Sequence, residues 1–320
     1  MDNKAYTFDD ILILPAYSEI EREDVDIRSC FYRYCLSVPV MSSPMDTITE
    51  VEMMQAIYEA GGLGFHHRYI KRMGDLNFAR IAPGGIAVSP SMNIDNILWL
   101  IDGLDQYPLF ILDVAHGHTK KNIEFCAELV KNGCVVISGN VAIPEAVEDY
   151  LHIGVRDFRV GIGSGSVCTT RTVAGVGVPQ ASAISWIRKE FPNEGITLIS
   201  DGGHKTTGDI VKALALGADF VMLGGMLAGL KEVPELGKKQ YRGMASRDAR
   251  NGIGKLDSIP EGITKSIKSR EDVSVADVLE EIEKAIKLAC YYVGAKNLKE
   301  LREKSEIIFV TENGFREGLV

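Results

Sequence analysis

The sequence predicts an α/β fold, a single (β/α)8 barrel, and three observations carry that reading. Eight short, nearly continuous apolar runs occur at 38–40, 63–66, 85–88, 109–114, 135–138, 158–160, 196–200 and 220–223. Most are followed by a turn and then an amphipathic stretch. Apolar runs without polar alternation belong to a parallel sheet covered on both faces, and eight strand–helix repeats in 320 residues suit a closed barrel better than an open sheet.

The helices have local signals of their own. Thr47-x-x-Glu50 has the pattern of a capping box ahead of Met53, Met54 and Ile57. Thr206-x-x-Asp209 opens Ile210, Val211 and Leu214 in the same manner. Near the end of the chain, Val275, Val278, Leu279, Ile282, Ile286 and Ala289 form one helical stripe, which reads as packing. Two segments fall outside the repeat: an N-terminal extension, 1–36, and a polar stretch at 241–273. A long irregular segment in a barrel enzyme is commonly a lid or flap over the site. No linker or low-complexity tract divides the chain, so one catalytic domain spanning 1–320 is expected.

Composition narrows the function classes. The chain is 46% hydrophobic and 25% charged, with a formal net charge of −9, so non-specific binding to nucleic acid or to an anionic membrane is disfavoured. The first residues, MDNKAYTFDD, are polar, and no apolar run reaches the roughly 18–20 residues of a membrane span. The six cysteines form neither CxxC pairs nor zinc-ligand spacings. They are read as reduced thiols, which predicts a cytoplasmic protein.

Barrel chemistry sits at the C-terminal ends of the strands. Those ends carry Ser42–Asp46, His66–Arg68, Ser89, Asp113–His118, Gly139-Asn140, a loop from Gly161 to Arg171, Asp201-Gly202-Gly203, and Gly224-Gly225. Glycine pairs after strands seven and eight let backbone N–H groups close on a phosphate. As mere tight turns they would not need to occur on both strands where such barrels bind phosphate. Asp201 suits ribose hydroxyls or the cap of the next helix. Cys126, Cys134 and Cys290 lie in or beside apolar elements and read as buried side chains. Cys168 lies instead among Gly, Ser and Thr, with Arg171 close by in sequence, which suits a nucleophile.

These motifs resemble the IMP dehydrogenase/GMP reductase family over nearly the whole chain. The resemblance rests on YTFDDILILPAYSEI, VPVMSSPMDTITE, LDVAHGHT, SGNV, GIGSGSVCTTRTVAGVGVPQ, SDGG, DFVMLGGMLAG, YRGM, the EG of IPEG, and YYVGAKNLKEL. It implies that Cys168 attacks purine carbon 2 and that Thr170 and Glu261 form a proton-transfer pair. The 5′-phosphate would be held by Ser166, Gly202, Gly203, Gly224, Gly225 and Tyr241, and the ribose by Asp201. Ser42, Met45, Gly243 and Met244 would frame the base. Asp113, His116, Asn140, Gly161 and Gly163 would face the nicotinamide cofactor, NADPH or NAD. A monovalent cation such as K+ would sit at Gly163, Gly165 and Cys168. The partner would be a purine nucleoside monophosphate, and the assembly a homotetramer.

Two reactions share the covalent intermediate. The dehydrogenase hydrolyses it with water activated by an Arg-Tyr pair on its flap; the reductase forms it by expelling ammonia from GMP. Residues 245–260, ASRDARNGIGKLDSIP, contain no Arg-Tyr pair. The tandem CBS module that many dehydrogenases insert after the second strand is also missing, and LGGM and YYVGA look like the reductase. AHGH, VGVPQ, YRGM and Ser164 look like the dehydrogenase. The expectation is a GMP reductase using NADPH. An NAD-dependent IMP dehydrogenase is the alternative, with a non-catalytic purine nucleotide sensor a further one. A flavin barrel would not need Cys168, and no lysine for a Schiff base lies in the eight runs.

Overall fold

The computed structural model describes residues 4–69, 82–99, 109–192, 195–251 and 259–318. Eight parallel strands close into a barrel: β1 (Val40–Ser42), β2 (Leu63–His66), β3 (Gly84–Val88), β4 (Leu109–Leu112), β5 (Val135–Val141), β6 (Asp157–Val160), β7 (Thr197–Asp201) and β8 (Phe220–Leu223). Closure is made where β8 pairs with β1, with Met222 opposite Met41. The fold is therefore the (β/α)8 barrel that the sequence predicts.

The apolar runs lack polar alternation because both strand faces are buried. Met41, Phe65, Leu109, Ile111, Ile137, Ile199 and Met222 point into the barrel. Their neighbours Val40, Phe110, Leu112, Val136, Leu198 and Val221 face the helical layer. Truncating a fully buried aromatic such as Phe65 in so dense a core costs about 3–5 kcal/mol.

The helices around the barrel include α1 (Val51–Glu59), α2 (Ile94–Trp99), α3 (Lys120–Lys131), α4 (Pro144–Leu151), α5 (Gln180–Glu190), α6 (Thr207–Ala215) and α7 (Val275–Val293). The capping box at Thr206 and Asp209 is formed as expected. On α7, Val275, Val278, Leu279, Ile282 and Ile286 are buried, and Ala289 is half-buried. Gly294 closes that helix in the left-handed region, at φ 72°.

Two local expectations are corrected. Glu50 rather than Thr47 is the N-cap of α1, and its side chain makes no capping bond. Residues 47–49 instead turn back, with the Ile48 and Thr49 N–H groups bonding the Met45 carbonyl, and Thr47 is buried. The first strand begins at Val40 rather than at residue 38, because Pro39 has no N–H to give to a ladder.

The cysteines hold a third correction. Cys30 and Cys35 are disulfide-bonded, so not all six are free thiols. They face each other across an antiparallel hairpin, Ser29–Phe31 with Tyr34–Leu36. Directly opposed residues of such a hairpin lie within disulfide reach, here at a Cα–Cα distance of 4.1 Å. This hairpin closes the floor of the barrel. Phe31 packs edge-on against Phe220, the Gly84 N–H donates to the Tyr34 hydroxyl, and the Tyr32 hydroxyl donates to Asp157. Each partner is the first residue of a barrel strand.

The rest of the extension is tied to the chain's end, where Ile11–Ile13 pairs with Ile307–Phe309. No helix of the described residues is long and apolar enough to cross a membrane.

Candidate active site

The C-terminal ends of the strands open into a cavity of about 560 Å³. One side is formed by the cysteine loop, by Gly202 to Lys205, by Gly224 and Gly225, and by Tyr241 and Met244. The other carries Arg68, Tyr69, Ser89, Ser91, Asp113, Lys121 and Asn122.

Cys168 is half-buried at the centre of this arrangement. Its sulfur lies 3.2 Å from the Thr170 hydroxyl, which donates to a carboxylate oxygen of Glu261 at 3.0 Å. A thiol, a hydroxyl and a carboxylate thus stand in line, the geometry of a proton relay. Glu261 is delivered by the segment after the barrel. Its carbonyl accepts from the Thr169 N–H, and Ile263 donates to the Val167 carbonyl. The stem of that segment is a two-stranded ribbon, Gln240–Arg242 with Thr264–Ser266. Arg242 is ion-paired to Asp46, which fixes the ribbon to the loop after β1. Residues 252–258, inside the expected flap, lie outside the described residues.

The expected phosphate residues come together. The Tyr241 hydroxyl is hydrogen-bonded by the Ser166 side chain and the Gly225 backbone, and burial pushes its pKa up to about 12. It therefore stays a neutral phenol that can also donate. A Cβ on Gly224 would fall 2.6 Å from that hydroxyl and 3.1 Å from the Met45 sulfur, so only glycine leaves the space open. Gly203 adopts φ +87°, which a side chain would strain. Met45, Gly202, Gly243 and Met244 also line this side.

The carboxylates are organised by residues that the sequence reading did not single out. Arg159, at the inner face of β6, donates from Nε to Asp201 at 2.8 Å and lies 3.5 Å from Asp113. Burial opposes its charge, but Asp201 and then Asp113 outweigh it and raise its pKa. Asn140 donates to the same Asp201 oxygen at 2.8 Å and to the Gly161 carbonyl. Arg68 donates to Asp113 at 2.8 Å and to the Tyr69 hydroxyl, which in turn donates to the Met244 carbonyl. His204, beside Gly203, is a further lining residue. Burial outweighs the pull of Asp201 and Asp209 and lowers its pKa to about 4.

Three expected residues are placed differently. Ser42 is fully buried on β1 and accepts a hydrogen bond from Thr49, while its neighbour Ser43 lines the cavity. His116 is exposed outside the lining, where its carbonyl accepts from Asn122. Arg171 lies outside the cavity lining: its guanidinium donates to the Val178 carbonyl, and its stem packs over Gly163 and Gly177. Asp113, Asn140, Gly161, Gly163 and Gly165 do line the cavity, whereas Cys126, Cys134 and Cys290 are buried and burial raises all three thiol pKa values.

The strand ends of this barrel thus bring together a cysteine loop, two glycine turns and two carboxylates joined by Arg159, the parts that the sequence resemblance leads one to expect. The family model described as the IMP dehydrogenase / GMP reductase domain matches residues 5–77 and 87–320, and the chain belongs to this family of purine-nucleotide oxidoreductases. It is 32% identical to the inosine-5′-monophosphate dehydrogenase of Cryptosporidium parvum over 99% of this chain and 95% of that protein. It is 34% identical to a GMP reductase of Buchnera aphidicola subsp. Acyrthosiphon pisum (strain Tuc7), over 97% of both chains. The inosine-5′-monophosphate dehydrogenase of Aquifex aeolicus is 28% identical over 98% of this chain.

Proposed function

We propose that this enzyme is a GMP reductase that converts GMP to IMP and ammonia with NADPH. The observation that carries the reading is the line Cys168–Thr170–Glu261, combined with a 245–260 sequence that contains no Arg-Tyr pair. In the proposed reaction the Cys168 thiol loses its proton along Thr170 to Glu261, and its sulfur adds to carbon 2 of the purine. Glu261 returns a proton to the exocyclic amine, the C2–N bond breaks, and ammonia leaves a thioimidate. NADPH, when bound, supplies the hydride that reduces carbon 2. Breaking the C–S bond then frees IMP and leaves a thiolate, which takes a proton from solvent to return to the thiol.

The cavity beyond the nucleotide cradle suits a nicotinamide cofactor. Asp113 faces it with a carboxylate already fixed by Arg68, and Ser89, Ser91 and Asn122 add polar groups. A monovalent cation in this reading is held by carbonyls of Gly163, Gly165 and Cys168. The Gly165 carbonyl accepts from the Cys168 N–H and keeps one lone pair for it. Residues 241–273 act as a lid that carries Glu261, within one catalytic domain, and the assembly is a homotetramer.

An Arg-Tyr pair does line the cavity, Arg68-Tyr69, though from the loop after β2 rather than from the flap. It is poorly suited to accept a proton from water. Burial works against the charge of Arg68, but Asp113 and Tyr69 outweigh it and raise its pKa. Burial also raises the pKa of the Tyr69 phenol. Both groups stay protonated near neutral pH. The IMP dehydrogenase reading is favoured by AHGH and YRGM, shared in type with dehydrogenases. Assay of GMP with NADPH against IMP with NAD+ separates the two.

A further inference from the structure

The two carboxylates that the proposed reading gives to two different ligands are joined through a single cation. Asp201, at the end of β7, takes Nε of Arg159 at 2.8 Å, and Asp113, just beyond β4, lies 3.5 Å from Nη1 of the same guanidinium. The side chains of Arg159, Asp113 and Asp201 are only 8%, 9% and 15% exposed. Charges this poorly hydrated must be matched by one another. Arg159 also donates to the Leu112 carbonyl, which anchors the fork to the strand that leads into Asp113.

We propose that Arg159 is a positioning residue that sets the nucleotide-ribose carboxylate and the cofactor-ribose carboxylate at once, so that one side chain determines affinity for both ligands. The assignment of the two ligands rests on the purine-nucleotide reading above. The other partners of the network act on one side only. Arg68 binds Asp113, and Asn140 binds Asp201. A lysine cannot replace Arg159, because an ammonium lacks the planar fork that reaches two acceptors in fixed directions.

The test uses the full chain with Cys168→Ala, which binds ligands without turnover. Affinities for GMP and for NADPH are measured separately by calorimetry. Arg159→Lys is expected to weaken both by about tenfold, the scale of one lost charge-assisted hydrogen bond. Arg68→Met is expected to weaken NADPH alone. If Arg159→Lys leaves either ligand unchanged while the thermal melt shows a folded protein, the proposal is overturned. Should R159K not fold, Asp113→Asn decides in its place. It reaches the nucleotide side only through Arg159, so weaker GMP binding supports the proposal and unchanged GMP binding overturns it. If the Cys168→Ala protein binds neither ligand, the purine-nucleotide reading itself fails, and the proposal with it.

Discussion

The Thr170 hydroxyl donates to the Glu261 carboxylate at 3.0 Å across 91 positions of sequence. That bond joins the cysteine loop of the barrel to the segment that follows it, and in the proposed reaction it is the path of the Cys168 proton away from the sulfur.

Glu261→Gln keeps the shape but removes the proton acceptor. The turnover number should fall about 10²–10⁴-fold, the usual worth of a general acid–base group, with the Michaelis constants little changed. Thr170→Ala should fall in the same range, and the double variant should lose little more than the worse single one, because the two act as a unit. Steady-state kinetics of the three variants checks this.

Cys168→Ala should abolish turnover and remove any covalent nucleotide adduct visible by intact mass. Turnover at the wild-type rate would end the covalent account.

Gly224→Ala should raise the nucleotide Michaelis constant by about tenfold or more, the scale of a lost charge-assisted phosphate contact. The added methyl would fall 2.6 Å from the Tyr241 hydroxyl and displace it from the proposed phosphate site. The NADPH constant should change much less, since the cradle lies on the other side of the cavity.

His204 makes stability depend on pH. Its folded pKa is lowered to about 4 from an ordinary 6.5, so between those values the unfolded chain binds the proton more readily. Stability should therefore fall as pH drops from about 6.5 toward 4, by about 2 kcal/mol at pH 5. Urea unfolding at pH 7 and pH 5 should show this loss in the wild type and a smaller one in His204→Gln.

The Cys30–Cys35 bridge closes a loop of sequence separation 5. Chain-entropy arguments give such a loop about 2 kcal/mol. Reduction, or Cys30→Ser with Cys35→Ser, should lower the melting temperature by a few degrees. The assay with saturating ligands should be unaffected, since the hairpin sits at the opposite end of the barrel from Cys168.

Much of this architecture was legible in the residues. Val, Ile, Leu and Phe buried on both faces of a parallel strand leave a run without alternation, which is why the eight strands could be placed. Glycine pairs and Cys168 stood out because their neighbours suit no core. Arg159 was not legible: within Phe158–Val160 a lone arginine carries no sign that two carboxylates from β4 and β7 converge on it. Ser42 and Ser43 could not be told apart, since the apolar run does not show where β1 ends: Ser42 is its last residue and Ser43 lies in the loop that follows, beside the cavity. The disulfide depends on a hairpin of two three-residue strands, too short to announce itself by periodicity. Thr47 matched a cap pattern, but a tertiary turn at Met45 places the helix start three residues later.

The central claim is tested most directly by nicotinamide absorbance in two parallel reactions, GMP with NADPH and IMP with NAD+ and potassium. The account predicts NADPH loss with one ammonia released per turnover, and no NADH from IMP. NADH formed from IMP, with no reaction of GMP, would contradict it and would require a water-activating group other than a flap Arg-Tyr pair.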